Sequence, residues 1–95
     1  MSLSEFSLEG KIAFVTGGGR GLGRAGALAF AKAGAHVALV SRTRSQLEET
    51  AAAVEALGRK TLVATADTRI AAEVDAAVHA TVAAFGRIDI LFNNA

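Results

Sequence analysis

Short apolar runs alternate with longer stretches in which apolar residues recur at helical spacing. "KIAFVT", from Lys11 to Thr16, is apolar at successive positions and predicts a strand buried on both faces. From Leu22 onward, Ala25, Gly26, Ala29, Phe30 and Ala33 recur every three or four residues, a helical stripe that stops at Gly34. "HVALVS" predicts a second strand. Leu47, Ala51, Val54 and Leu57 mark a second helix ending at Gly58. "TLVAT" is a third strand, and Ile70, Val74, Val78, Val82 and Phe85 stripe a third helix closed by Gly86. "IDILFN" is the fourth strand. The order β-α-β-α-β-α-β predicts an α/β fold, a doubly wound parallel sheet with helices on both faces. Right-handed crossovers restrict its topology. Strands one, two and three step outward, placing the first two helices on one face. A fourth strand returning beside strand one places the third helix on the other. The expected order is 3-2-1-4, with the switch point, where such sheets bind ligands, beside strand one.

Composition narrows the picture. Ninety-five residues are enough for one domain, and the whole of 1–95 is expected to be a single unit that stops after its fourth strand. A net charge of +1 gives no electrostatic case for nucleic acid or an acidic membrane. No apolar run reaches the ~18 residues of a membrane span, and the start lacks a signal-peptide pattern, so the expected location is cytoplasmic. With no cysteine and only His36 and His79, no metal-ligand spacing emerges. Both histidines read as ordinary surface or half-buried residues. Glu48, Glu49 and Glu55 read as the solvated side of the second helix, and Phe6, Phe14, Phe30, Phe85 and Phe92 as core.

The candidate chemistry follows strand one, in "VTGGGRGLGRAG". A literal G-x-G-x-x-G runs through Gly21, Gly23 and Gly26, but Gly21 lies too far beyond the strand to open its turn. Gly26 then falls inside the helix, where a small residue permits close helix–sheet packing. A G-x-x-x-x-G-K-[ST] phosphate loop from Gly18 to Gly23 fails at Arg24 and Ala25, which weakens any reading as a nucleoside triphosphatase. The pattern T-G-x-x-x-G-x-G, at Thr16, Gly17, Gly21 and Gly23, begins at the strand end and finishes at the helix start. It brings backbone amides and a helix N-terminus toward a pyrophosphate. On this reading Gly17, Gly18, Gly19, Arg20, Gly21, Leu22 and Gly23 make up a phosphate-binding loop; the alternative is an ordinary glycine-rich strand–helix turn. A valine at Gly17 or Gly23 is expected to block phosphate approach and leave the core intact.

With those residues placed, the chain resembles the N-terminal part of the short-chain dehydrogenase/reductase family. The resemblance runs from "LEGKIAFVTGGGRGLGRA" through "ADT" to "FGRIDILFNNA". It implies a doubly wound sheet that binds NAD or NADP, and hydride transfer between nicotinamide and a carbonyl or alcohol substrate. It also implies Leu22 against the cofactor, Asp67 accepting a hydrogen bond from the adenine amino group, and Thr68 beside it. Asp67 also reads as a solvated loop carboxylate or a helix cap. Asn93, Asn94 and Ala95 match the start of the family's N-N-A-G segment. The family's catalytic Ser and Tyr-x-x-x-Lys lie further on, and this chain has no tyrosine. The chain is therefore expected to be a fragment that binds part of a cofactor and catalyses nothing. The parent enzyme is expected to be a homo-oligomer acting on a small molecule. The alternative is a non-catalytic nucleotide-binding module, complete as written.

Cofactor choice is expected to follow the end of strand two. NAD-preferring sites place an acidic residue there, about 20 residues after the glycines, on the ribose hydroxyl. Eighteen residues after Gly23 stands Ser41, followed by Arg42, Thr43 and Arg44. No carboxylate repels a 2′-phosphate, and Arg42, with Arg20 from the glycine loop, offers it donors. NADP is expected over NAD, against the alternative that these arginines are solvated loop charges.

Overall fold

The computed structural model describes residues 7–94. Its elements are β1 (Ile12–Thr16), α1 (Gly21–Lys32), β2 (His36–Ser41), α2 (Arg44–Ala56), β3 (Thr61–Thr65), α3 (Ala71–Phe85) and β4 (Ile90–Asn93). The four strands form one parallel sheet in the order β3-β2-β1-β4. This is the Rossmann-like arrangement that the apolar runs predict. β1 is central, with Ile12 to Thr16 in register with His36 to Val40, and Ala13 to Thr16 in register with Ile90 to Asn93.

Alternation along the central strands sorts the core into two layers. Ala13, Val15, Val37 and Leu39 face α1 and α2, meeting Ala27, Ala31, Leu47, Ala51 and Val54. Phe14, Ala38 and Val40 face α3 and meet Ala77. Gly26 abuts the sheet as expected: a Cβ there would lie 2.9 Å from the Phe92 ring, which packs edge-on to Phe30 at 5.8 Å. Phe14 is buried, Phe30, Phe85 and Phe92 are partly buried, and Phe6 lies outside the described residues. His36 is half-buried, its ring 6.1 Å from that of Phe85, while His79, Glu48, Glu49 and Glu55 are exposed.

Two predicted helix faces are corrected. The buried positions of α1 are Gly23, Ala27 and Ala31, whereas Leu22, Ala25 and Ala29 are exposed. Alanine and glycine fill so much of α1 that apolar spacing does not single out one face. In α3 the buried residues are Ala77 and Thr81; Ile70, before the helix, and Val82 are exposed, and Val74, Val78 and Phe85 lie at the margin. Helix α2 follows its prediction at Leu47, Ala51 and Val54, but Leu57 lies beyond its last turn and is exposed. No helix among the described residues is long and apolar enough to cross a membrane.

Candidate functional site

The chain leaves β1 at Thr16 and turns at once. The Gly17 N–H donates to the Val40 carbonyl at 2.7 Å, holding the turn against the end of β2. Gly17 has φ +68°, a conformation that side chains disfavour. A Cβ there would also run into the Asn94 backbone carbonyl, and one at Gly23 into the Gly17 carbonyl. Gly18 and Gly19 are similarly confined, by Leu39 at 2.9 Å and Gln46 at 2.8 Å. The sequence assigns these glycines to phosphate approach and to positive φ, and Gly17 and Gly21 do have positive φ. The structure supplies a nearer reason for Gly17, Gly18, Gly19 and Gly23: the loop is packed against the protein's own backbone and side chains. The expectation that valine at Gly17 or Gly23 has little effect on the core is therefore corrected, since either side chain would push the loop from its backbone neighbours. Gly21 differs, with φ +56° and open space where a Cβ would stand.

Beside this loop lies a cleft of about 550 Å³. Gly17, Gly19, Arg20, Gly21 and Leu22 form one wall, and Ser41 and Arg42 face it from the end of β2. Asn94 closes it from the β4 side. Gly18 and Gly23 are buried in the loop's support and do not line the cleft. The sequence reading missed two lining residues, Thr43 and Gln46. Their signal was position: both flank the start of α2, directly after Ser41 and Arg42.

The electrostatics favour an anion. Arg20 precedes α1 and Thr43 precedes α2; neither caps its helix with a side-chain hydrogen bond, and neither first turn contains an acidic residue. Two helix N-termini with unclaimed backbone donors thus border one cleft. Arg20 and Arg42 add two guanidinium groups, and among the described residues no carboxylate lines the space. The Ser41 hydroxyl oxygen accepts from the Thr43 N–H at 3.3 Å, leaving its own proton available to a ligand.

The remaining predicted residues sit around this centre. Thr16, nearly buried, donates its hydroxyl proton to Asn93 Oδ1 at 2.9 Å and accepts from the Asn94 N–H at 3.0 Å. These bonds pin the end of β4 to the end of β1 and set Asn94 at the cleft. Ala95 lies outside the described residues. Asp67 follows the last β2–β3 contact, where the Ala66 N–H donates to the Ser41 carbonyl at 2.8 Å. Its carboxylate accepts from Arg69 N, Nε and Nη2 at 2.9, 3.0 and 2.8 Å. Those bonds from Arg69, with a smaller contribution from the Arg42 charge, hold the Asp67 carboxyl well below the usual carboxylate range. Asp67 is not a helix cap, because Ile70 precedes α3; it closes a local turn. Neither Asp67 nor exposed Thr68 lines the cleft.

An adenine dinucleotide fits this donor set, which combines loop and helix-end amides suited to a pyrophosphate with the guanidinium groups of Arg20 and Arg42. Comparison with known proteins agrees. The sequence profile of the short chain dehydrogenases matches residues 11–95. The chain belongs to the short-chain dehydrogenase family. An uncharacterised oxidoreductase of Mycobacterium tuberculosis is 46% identical over 94 residues, 99% of this chain and 36% of that protein. L-Sorbose reductase of Gluconobacter frateurii, solved with NADPH and L-sorbose, is 41% identical with a TM-score of 0.89, covering 94% of this chain and 34% of that one. Carveol dehydrogenase of Mycobacterium avium, solved with NAD, is 33% identical with a TM-score of 0.89, covering 93% and 36%. The chain thus spans about a third of the length of the first curated relatives it matches. Both nicotinamide cofactors occur among these family structures.

Proposed function

We propose that this short-chain dehydrogenase segment binds the adenosine half of NADP(H) for an oxidoreductase acting on a small carbonyl or alcohol. The observation that carries the reading is the carboxylate-free cleft, bordered by two uncapped helix N-termini and by Arg20 and Arg42. The amides around Gly19 to Leu22 bind the pyrophosphate. Arg42 and the Ser41 hydroxyl receive the 2′-phosphate, with Arg20 opposite. Asp67 and Thr68 lie on the adenine side, and Asn93, Asn94 and Ala95 carry the sheet end toward the nicotinamide half. The cofactor, when bound, supplies the hydride chemistry; these residues bind and orient it.

Proton transfer is assigned elsewhere, since the chain contains no tyrosine. Residues 1–95 alone, one partial Rossmann domain, are expected to bind without turnover. The reading keeps a cytoplasmic location and a homo-oligomer for the parent protein. Titration of NADPH and NADH into the full-length protein tests the proposal. Tighter NADPH binding supports it; equal affinities, or tighter NADH, overturn the phosphate assignment. A second reading keeps the same cleft as a nucleotide-binding module without catalysis. Hydride transfer by the full-length protein would eliminate that reading.

A further inference from the structure

Thr50 is a fully buried polar residue on the core-facing side of α2. It occupies the stripe of Leu47, Ala51 and Val54, where a hydroxyl costs free energy unless it is hydrogen-bonded. Its partners lie on the glycine loop, on α1 and one turn back on α2 itself. Thr50 Oγ1 lies 3.4 Å from the Gly19 carbonyl and 3.3 Å from the carbonyl of Gln46, either of which accepts its proton. The same oxygen accepts from Arg24 Nη1 at 3.4 Å. One hydroxyl therefore links α1, α2 and the loop between β1 and α1.

The link bears on the cleft through peptide geometry. Among the described residues every peptide bond is trans. In a trans peptide the C=O and the following N–H point in opposite directions. Holding the Gly19 carbonyl toward Thr50 turns the Arg20 N–H away from it, and Gly19 and Arg20 both line the cleft while Thr50 does not. We propose that Thr50, held by Arg24, is a positioning residue that fixes the Gly19–Arg20 peptide so that its N–H serves as a pyrophosphate donor. This rests on the dinucleotide reading above. It differs from the role of Arg42, because the pyrophosphate is common to both cofactors and the 2′-phosphate is not.

The test uses the full-length protein, with NADPH and NADH titrated separately into each variant. Thr50→Val preserves the volume and removes the hydroxyl; Thr50→Ser preserves the hydroxyl and removes a methyl group. Thr50→Val is expected to weaken both cofactors by about five- to tenfold, the scale of one hydrogen bond, and to leave their affinity ratio unchanged. Thr50→Ser is expected to stay within about twofold of the parent protein. A role in packing alone would reverse that order, and such a reversal overturns the proposal. Unchanged affinity in Thr50→Val, or a change in the NADPH/NADH ratio, overturns it equally. Should Thr50→Val not fold, Arg24→Met removes the other half of the link. It is expected to weaken both cofactors together, and unchanged affinity there is again a refutation. If the parent protein binds neither dinucleotide, the failure belongs to the proposed function, and it is visible before any variant is made.

Discussion

All five residues of β1 and four of the six in β2 are buried, whereas no residue of β3 or β4 is. Their sequences are similarly apolar, so composition does not explain the difference. Position does. β1 and β2 each have a strand on both sides, and α1 and α2 cover one face of them while α3 lies on the other. β3 and β4 are the edges of the described sheet. On β4, Ile90 and Phe92 join the better-covered layer, but Leu91 faces the other way and is 68% exposed. The candidate site grows from the two central strands: the glycine loop leaves β1, and Ser41 and Arg42 follow β2. A phosphate site needs donors held in place, and the most completely packed part of the molecule holds them.

The largest expected effect on binding strikes the joint between loop and core. Gly23→Val drives a side chain into the Gly17 carbonyl, so loop and helix must separate. Loss of measurable dinucleotide binding is expected, with destabilisation of about 2–4 kcal/mol by denaturant titration. Gly21→Ala faces only its positive φ, and about 1–2 kcal/mol is expected. Equal costs at the two positions would show that the tight backbone approach at Gly23 does not matter.

Core truncations test the unequal halves directly. Leu47→Ala empties a fully buried site between α2 and the sheet, and a loss of about 2–5 kcal/mol is expected. Val82→Ala, at a position 42% exposed on α3, should cost less than about 1 kcal/mol. Thermal or urea unfolding of the full-length protein measures both. Comparable losses would mean that α3 is covered in the intact protein, and the contrast between the halves would disappear.

These residues also show what was legible in the sequence. Continuous apolar runs located all four strands, because a strand buried on both faces leaves that signature. β2 and β3 begin and end as read, while β1 starts one residue later and β4 two. Leu47, Ala51 and Val54 revealed the face of α2, since charged residues fill its other side. In α1, alanine on every side erased the period, and in α3 the valines that formed the clearest stripe are not the deepest residues. The site's glycines were visible, and so was the positive φ of their turn at Gly17 and Gly21, but the close packing was not: Gly23 is confined by Gly17, six positions away, and only the folded turn brings them together. Thr50 was hidden for a similar reason. Its place in the stripe, three residues after Leu47, was readable, whereas its partners Gly19 and Arg24 belong to other elements.

Cofactor choice gives the next effect. Arg42→Ala removes a charge-assisted contact to the 2′-phosphate, and NADPH affinity is expected to fall by about ten- to 150-fold, or about 1.5–3 kcal/mol, with NADH little changed. Ser41→Asp places a carboxylate beside the ribose and is expected to reverse the preference. Added salt should weaken NADPH more than NADH, since Arg42 is exposed and its charge is screened. Calorimetric titration of both cofactors settles each case, and a parallel loss of NADPH and NADH in Arg42→Ala would remove the residue from phosphate recognition.

The smallest effect is set by acid and separates the halves without a mutation. Among the described residues, Asp67 and Asp89 are the carboxylates held below their ordinary range, and neither lines the cleft. Asp67 is held first by the Arg69 side chain. Asp89 is held first by Arg87 and then by the Ile12 N–H, which donates to its Oδ2 at 2.9 Å. Arg87 also donates to the Gly10 carbonyl at 2.9 Å, so this cluster ties the approach to β4 to the start of β1. A carboxyl whose folded pKa is depressed contributes stability above its unfolded pKa of about 4 and loses it as pH falls toward the folded value. Lowering the pH from neutrality to below about 4 should therefore loosen the turn after β3 and the β4 end first. Amide exchange at Arg69 and Ile12 is expected to accelerate before that at Val37 to Val40, the centre of β2. Asp89→Asn should remove the acid dependence at Ile12 and leave the rest of the profile in place. Simultaneous loss of protection across β1 to β4 would show that the edges and the centre of this sheet respond to acid as one unit.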